Sequence, residues 1–285
     1  METTILPPTE IQLVLDLITK RLNLCTVFVF GYRNSTTAAN TILQSQIEGS
    51  SANHHFDIVI ISENAYPNCA NDIANLIAER SAKTISVSLL IHKAAVLASN
   101  QLNQQLFFDK VFRKGQRLCI DPSAPPYIKS NGILYRDINI DRDYWHKCNA
   151  VADYYIQSGS VSTNPEIALC NIANLHIAIE ELALGLIRVF MGYTPNEFSL
   201  KYLLLLCGHF TKLPSEIFSN QSELEIKRYK MLCAPPSMLR YWYRLNAEEE
   251  DFLWILNACQ NFYKQATTIA IQELERLENT KTIIL

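Results

Sequence analysis

The sequence has no basic excess, no closely spaced cysteine pair and no membrane-length apolar run. Its formal net charge is −3, and neither half of the chain is rich in Lys and Arg, so bulk electrostatics give no reason to expect a duplex-binding protein. The 8 cysteines are scattered, with no Cys-x-x-Cys unit for zinc or redox chemistry. Several lie in apolar runs, as Cys25 does before Val27 to Phe30, and read as buried, reduced thiols acting as small hydrophobes. No uncharged stretch approaches the ~18–20 apolar residues of a membrane helix. Met1 is followed by Glu2 and two prolines, not by a basic segment and an apolar core, so a cytoplasmic protein without membrane attachment is expected. Internal repeats and low-complexity segments are also missing.

What is present changes period along the chain. Pro7-Pro8 opens a helix with Ile11, Val14, Leu15, Ile18 and Leu22 on one face. Three apolar runs follow, Cys25 to Phe30, Phe56 to Ile61 and Thr84 to Ile91. They read as buried strands, with an amphipathic helix around Ile73, Leu76 and Ile77 before the third. A helix from about Leu102 to Arg113 and a short strand at Arg117 to Ile120 complete an α/β pattern. The proline-rich segment from Asp121 to Pro126 breaks it. Beyond Asp141 the pattern is helical throughout. A first helix to Gln157 carries Tyr144, Cys148, Val151 and Tyr155 on one side, and a second, after Asn164-Pro165, runs to a stop at Gly192. Shorter helices cover 198–210 and 221–232, and Asn246 is placed to cap a long last helix with Glu249. The expected architecture is an α/β domain over residues 1–137, a mixed sheet with flanking helices, and an all-α bundle over 138–285.

Two constellations could carry chemistry. Gly31-Tyr32-Arg33 follows the first strand, where a glycine turn is expected, and Asp57 lies on the second. This resembles nucleotidyltransferases of the polymerase β type, in which a Gly-Ser turn precedes two acids alternating on the next strand. Carboxylates two apart share a strand face and can hold magnesium ions for phosphoryl transfer. Here Tyr32 replaces the serine, Val59 the second acid, and the third strand has no acid. The resemblance implies a degenerate domain in which Gly31, Arg33 and Asp57 bind a nucleotide. The other reading is that these residues are structural.

The helical half, from Leu175 through His176 and Glu180 to Gly192-Tyr193, with Ala152 to Tyr155 before it and Leu239-Arg240-Tyr241 after it, resembles the HEPN bundles. Together the halves resemble bacterial nucleotidyltransferase-like plus HEPN fusions. Many HEPN domains are metal-independent RNases with an Arg-x4–6-His motif, where His acts as acid or base and Arg stabilises charge on phosphate. This chain has Thr194 and Phe198 in the expected places, and Arg142 stands one residue too close to His146. His176 and Glu180 share a helix face and form, with Arg240 and Tyr241, either a pocket or a register-fixing polar contact. Tyr241-Trp242-Tyr243 between Arg240 and Arg244 is either core or a base-stacking surface for RNA. No metal site and no obligatory cofactor are expected. The resemblance implies a non-catalytic regulator that binds a nucleotide or partner and dimerises through its helical domain. The alternatives are an RNA- or nucleotide-modifying enzyme of a defence or toxin–antitoxin type and a nucleic-acid-binding regulator.

Overall fold

The computed structural model describes residues 6–23, 25–34, 37–41, 53–66, 68–93, 102–119, 136–161, 164–196, 198–218, 222–238 and 247–283. They fall into two units, Met1–Arg136 and Asp137–Leu285.

The first unit runs α1 (Pro8–Arg21), β1 (Cys25–Asn34), β2 (Thr37–Thr41), β3 (His54–Ser62), α2 (Cys69–Arg80), β4 (Ile85–His92), α3 (Leu102–Lys114) and β5 (Gln116–Cys119). It is an α/β unit built on a mixed sheet: β1 pairs antiparallel with β3, and β3 pairs parallel with β4. The other edge of β1 is shared, by β5 at Val27 to Val29 and by β2 at Gly31 to Asn34. β1 therefore has neighbours on both edges over much of its length, and helices cover both of its faces, which accounts for the uninterrupted apolar run in its sequence. Side chains alternate between the faces. One face gathers Val27, Val29, Phe56, Ile58, Ile60, Val87 and Leu89 under Val14 and Ile18 of α1 and Ile73 and Ile77 of α2. On the other, Phe28 and Phe30 meet Phe112 and Phe107 of α3.

Two expectations are corrected here. Gly31 does not make a turn: β1 continues to Asn34, and its register against β3 shifts between Val29 and Gly31. The β-branched and aromatic run ends at Phe30, but ladder hydrogen bonds, not side-chain type, continue the strand. β2 was missed, because Thr37 to Thr41 has no apolar alternation.

The second unit comprises α4 (Ile138–Gly159), a 3-10 turn (Pro165–Ile167), α5 (Ala168–Met191), α6 (Leu200–Cys207), α7 (Leu213–Ile217), α8 (Glu223–Cys233) and α9 (Glu249–Ile283). Asp137 caps α4 by accepting from the Asn139 amide at 3.0 Å. Arg188 near the end of α5 meets Asp141 at the start of α4, so these helices are antiparallel. Thr267 and Glu278 of α9 meet Asn149 and Arg142 of α4, so α9 also runs against α4. α5 is apolar nearly all round because α4, α6, α8 and α9 each pack on it. Gly192 ends it at φ 67°, the left-handed geometry that favours glycine, and its N–H returns to the Arg188 carbonyl at 2.9 Å. The cap expected at Asn246 lies outside the described residues.

Of the side expected for α4, Cys148 is buried, Tyr144 and Tyr155 are half-buried and Val151 is exposed. Asp141, Trp145, Cys148, Ala152, Ile156 and Gly159 turn inward, whereas Val151 is 39% exposed and Tyr154 66%. Two apolar stripes run along this helix, and helical periodicity alone cannot say which of them is the core.

Candidate functional site

The first candidate set does come together. Gly31 and Asp57 are directly opposed in the β1–β3 ladder, and Arg33 opposes His55. Arg33, His55, Asp57 and Ser88 are all buried. One terminal Arg33 nitrogen donates to both Asp57 oxygens, each at 3.2 Å. His55 Nε2 lies 3.0 Å from Asp57 Oδ1 and 2.9 Å from Ser88 Oγ, and its Nδ1 lies 2.6 Å from Ser86 Oγ. A carboxylate only accepts, so the proton sits on Nε2 and Nδ1 receives the Ser86 hydroxyl. Odd-numbered positions on β3 bring His55 and Asp57 to one face, and parallel pairing brings Ser86 and Ser88 beside them. The glycine has a steric reason: a Cβ on Gly31 would stand 2.6 Å from Asp57 Oδ2. Asp57 is thus held by Arg33 of β1 and by His55 of its own strand, which the β4 serines in turn engage. His55, Ser86 and Ser88 were not foreseen, although the spacing of His55 and Asp57 was visible in the sequence.

In the helical unit, His176 is buried and its Nδ1–H donates to the Leu232 carbonyl at 2.8 Å. Nε2 faces Glu180 Oε2 at 3.4 Å, as the spacing along one helix face predicts. Arg240 and Tyr241 lie outside the described residues, as do the Trp242-Tyr243 pair and Arg244. His176 ties α5 to the last turn of α8. Two further contacts fix α8. Ser222 and Glu225 form a reciprocal capping box, and buried Asp251 of α9 accepts from Lys227 at 2.6 Å and Arg228 at 2.8 Å. Burial raises the Asp251 pKa, but the hydrogen bonds and charges of Lys227 and Arg228 outweigh it and hold the carboxyl below the usual range. Arg228 also lies over the Trp254 ring, 5.5 Å from its centroid.

The outward stripe of this anchored helix borders a groove of about 580 Å³, lined by Leu169, Ile226, Met231, Ala234 and Met238 with Glu223, Lys227 and Lys230. Nothing local in the sequence announces it, since residues 221–232 read only as a short helix and Leu169 belongs to another one. A buried ion pair was missed as well. Arg188 donates to Asp141 at 2.7 Å and to Thr194 Oγ1 at 2.9 Å, and packs over Tyr144. An arginine inside the apolar run Leu186 to Val189 was the available signal. Thr194 accepts from Arg188, and Phe198 is exposed.

Compared with known proteins, the chain matches no family model and no curated sequence. The candidate sites rest on their geometry. Among the described residues no group of His, Cys, Asp and Glu is assembled for a metal ion, and no helix is long and apolar enough to cross a membrane.

Proposed function

We propose that this chain is a non-catalytic binding and regulatory protein, a degenerate nucleotidyltransferase-like domain joined to a HEPN-type bundle. The observation that carries this reading is the state of Asp57. Arg33 engages both its oxygens and His55 engages one, inside a buried network. An acid that serves phosphoryl transfer must present a free oxygen edge to a metal ion or substrate. Asp57 has turned that edge to its own fold. The positions of Thr194 and Phe198 support the same reading for the bundle.

The regulatory ligand proposed is a nucleotide. A thermal-shift panel of ATP, GTP, cyclic nucleotides and dinucleotides tests it. At a hundredfold excess over Kd, a ligand specific for the folded state adds about 2.7 kcal/mol, an upward shift of several degrees. A panel without any shift would remove the nucleotide from the proposal.

The protein is further proposed to act as a homodimer through the outer stripe of α4. Ile140, Tyr144, Lys147, Val151, Tyr154 and Ser158 alternate in steps of four and three, the repeat of a helix seam. Ile140 is 53% exposed in addition to Val151 and Tyr154, a concentration of apolar surface that a second α4 would cover. Parallel pairing would stack Lys147 on its own copy. Antiparallel pairing about a two-fold axis sets Lys147 against Val151 of the partner subunit and Tyr144 against Tyr154 of the partner subunit. Val151→Arg then opposes two cations, and the dimer should weaken at least tenfold by sedimentation equilibrium with an unchanged helical circular dichroism signal. A variant that stays dimeric rejects this face; a wild type that is monomeric near 100 μM rejects the dimer.

A further inference from the structure

The groove along α8 has features that neither the nucleotide nor the dimer proposal uses. Its floor is aliphatic and thioether: Leu169 from the start of α5, Ile226 and Met231 from α8, Ala234 at its C-terminal cap, and Met238 beyond it. Three charged side chains border this floor, and their commitments differ. The Lys227 ammonium is taken by Asp251 at 2.6 Å. Lys230 is exposed and has no ion-pair partner among the described residues. Glu223 lies about two helical turns from Lys230, some ~10 Å along the axis. The wall itself is anchored by the capping box, the Asp251 clamp and the His176–Leu232 hydrogen bond.

We propose that this groove is a binding site for a small aliphatic monocarboxylate, with the chain on the Leu169–Ile226–Met231–Met238 floor and the carboxylate on Lys230. A volume of about 580 Å³ lies within the range of single small-molecule sites, ~300–1,000 Å³. An apolar floor rewards buried methylenes and gives no partner to hydroxyls or a polar base. One uncommitted cation selects one anionic group. Glu223 at the far end repels a second, which disfavours dicarboxylates and polyphosphates. Methionine at two floor positions lets the surface adapt to an alkyl chain. The site is separate from the Arg33–Asp57 network and does not depend on whether a nucleotide binds.

The test uses the full-length protein and decanoate, below its micelle concentration, with decanol and decyltrimethylammonium as matched probes in calorimetry. Wild type should bind decanoate at least tenfold more tightly than either. Lys230→Gln should abolish that preference, and Lys230→Arg should keep it. Ala234→Trp and Met231→Lys, which fill or charge the floor, should remove binding of all three, with circular dichroism reporting an unchanged fold. Decanol binding as tightly as decanoate, a Lys230→Gln variant with unaltered preference, or full binding by both floor variants would each overturn the proposal. So would saturable binding of an acidic helical peptide in the groove with none of decanoate. A nucleotide shift without decanoate binding would leave the regulatory reading standing and remove this one.

Discussion

Replacing Asp57 by alanine should destabilise the α/β unit by about 3–5 kcal/mol, a fall of its melting temperature on the order of 10–20 °C. The cause is what the substitution leaves behind. Arg33 is 5% exposed, and both hydrogen bonds from its terminal nitrogen go to Asp57. Without the carboxylate a guanidinium remains buried and uncompensated, and His55 Nε2 loses its charged acceptor. Arg33→Met together with Asp57→Leu removes both charges and should recover most of the loss, since an apolar pair of similar volume is often neutral in place of a buried ion pair. Gly31→Ala should behave like Asp57→Ala in kind, because its Cβ would occupy the space of Asp57 Oδ2. Thermal unfolding followed by circular dichroism reads all three. A ligand-binding acid at position 57 predicts the opposite pattern, with binding lost and stability nearly unchanged. An Asp57→Ala melting point within about 2 °C of wild type would therefore end the structural account of this network.

The same residues mark how far the sequence was legible. Gly31, Arg33 and Asp57 were grouped through their resemblance to the nucleotidyltransferase pattern, with Gly31 expected in a turn. Their mutual pairing was not foreseen, because it depends on register. The shift between Val29 and Gly31 is what sets the glycine opposite the acid. In an unshifted ladder, continuing the Val29–Ile58 register, Phe30 would stand there. The serines come from β4, and a parallel neighbour's register leaves no local mark in the sequence. His55, two residues before Asp57, was the one clue within a single strand.

The helical unit divides similarly. The end of α5 at Gly192 was plain, because a left-handed C-terminal residue has a strong chemical preference. The capping box at Ser222 and Glu225 is equally local. The inward face of α4 was only partly placed, because Tyr144, Val151 and Tyr155 are as apolar as the residues that are buried. Asp141 decides the matter: it turns inward to meet Arg188 near the end of α5, and no local pattern announces such a contact. Polar residues in a bundle core are identified by their partners, and the partners here lie on another helix. The groove beside α8 was invisible for a related reason, since Leu169 reaches it from a different element than the helix that forms its wall.

Acidification should weaken the α/β unit well above the range in which carboxylates titrate, and His92 is the group responsible. It ends β4, is 3% exposed, and meets the edge of Phe108 with ring centroids 5.1 Å apart. Phe108 in turn contacts Phe107 and Phe112. Burial in this aromatic setting penalises the imidazolium and brings the pKa down from 6.5 to about 4. The unfolded chain takes up the proton near pH 6.5, while the folded one refuses it until about pH 4. The unfolded state is therefore favoured progressively as pH falls through that window, and His92 has no effect on the pH slope above it. At about 1.4 kcal/mol per unit, the loss amounts to roughly 2 kcal/mol by pH 5 and about 3 kcal/mol by pH 4. Urea unfolding at several values between about pH 7.5 and pH 5, where most carboxylates remain ionised, measures it. His92→Leu keeps an apolar contact for Phe108 and has no proton to accept, so its stability should stay nearly level across the same window. Equal slopes for wild type and variant would mean that the folded protein accommodates a charged His92, and the buried aromatic cluster around β4 and α3 would have to open to admit it.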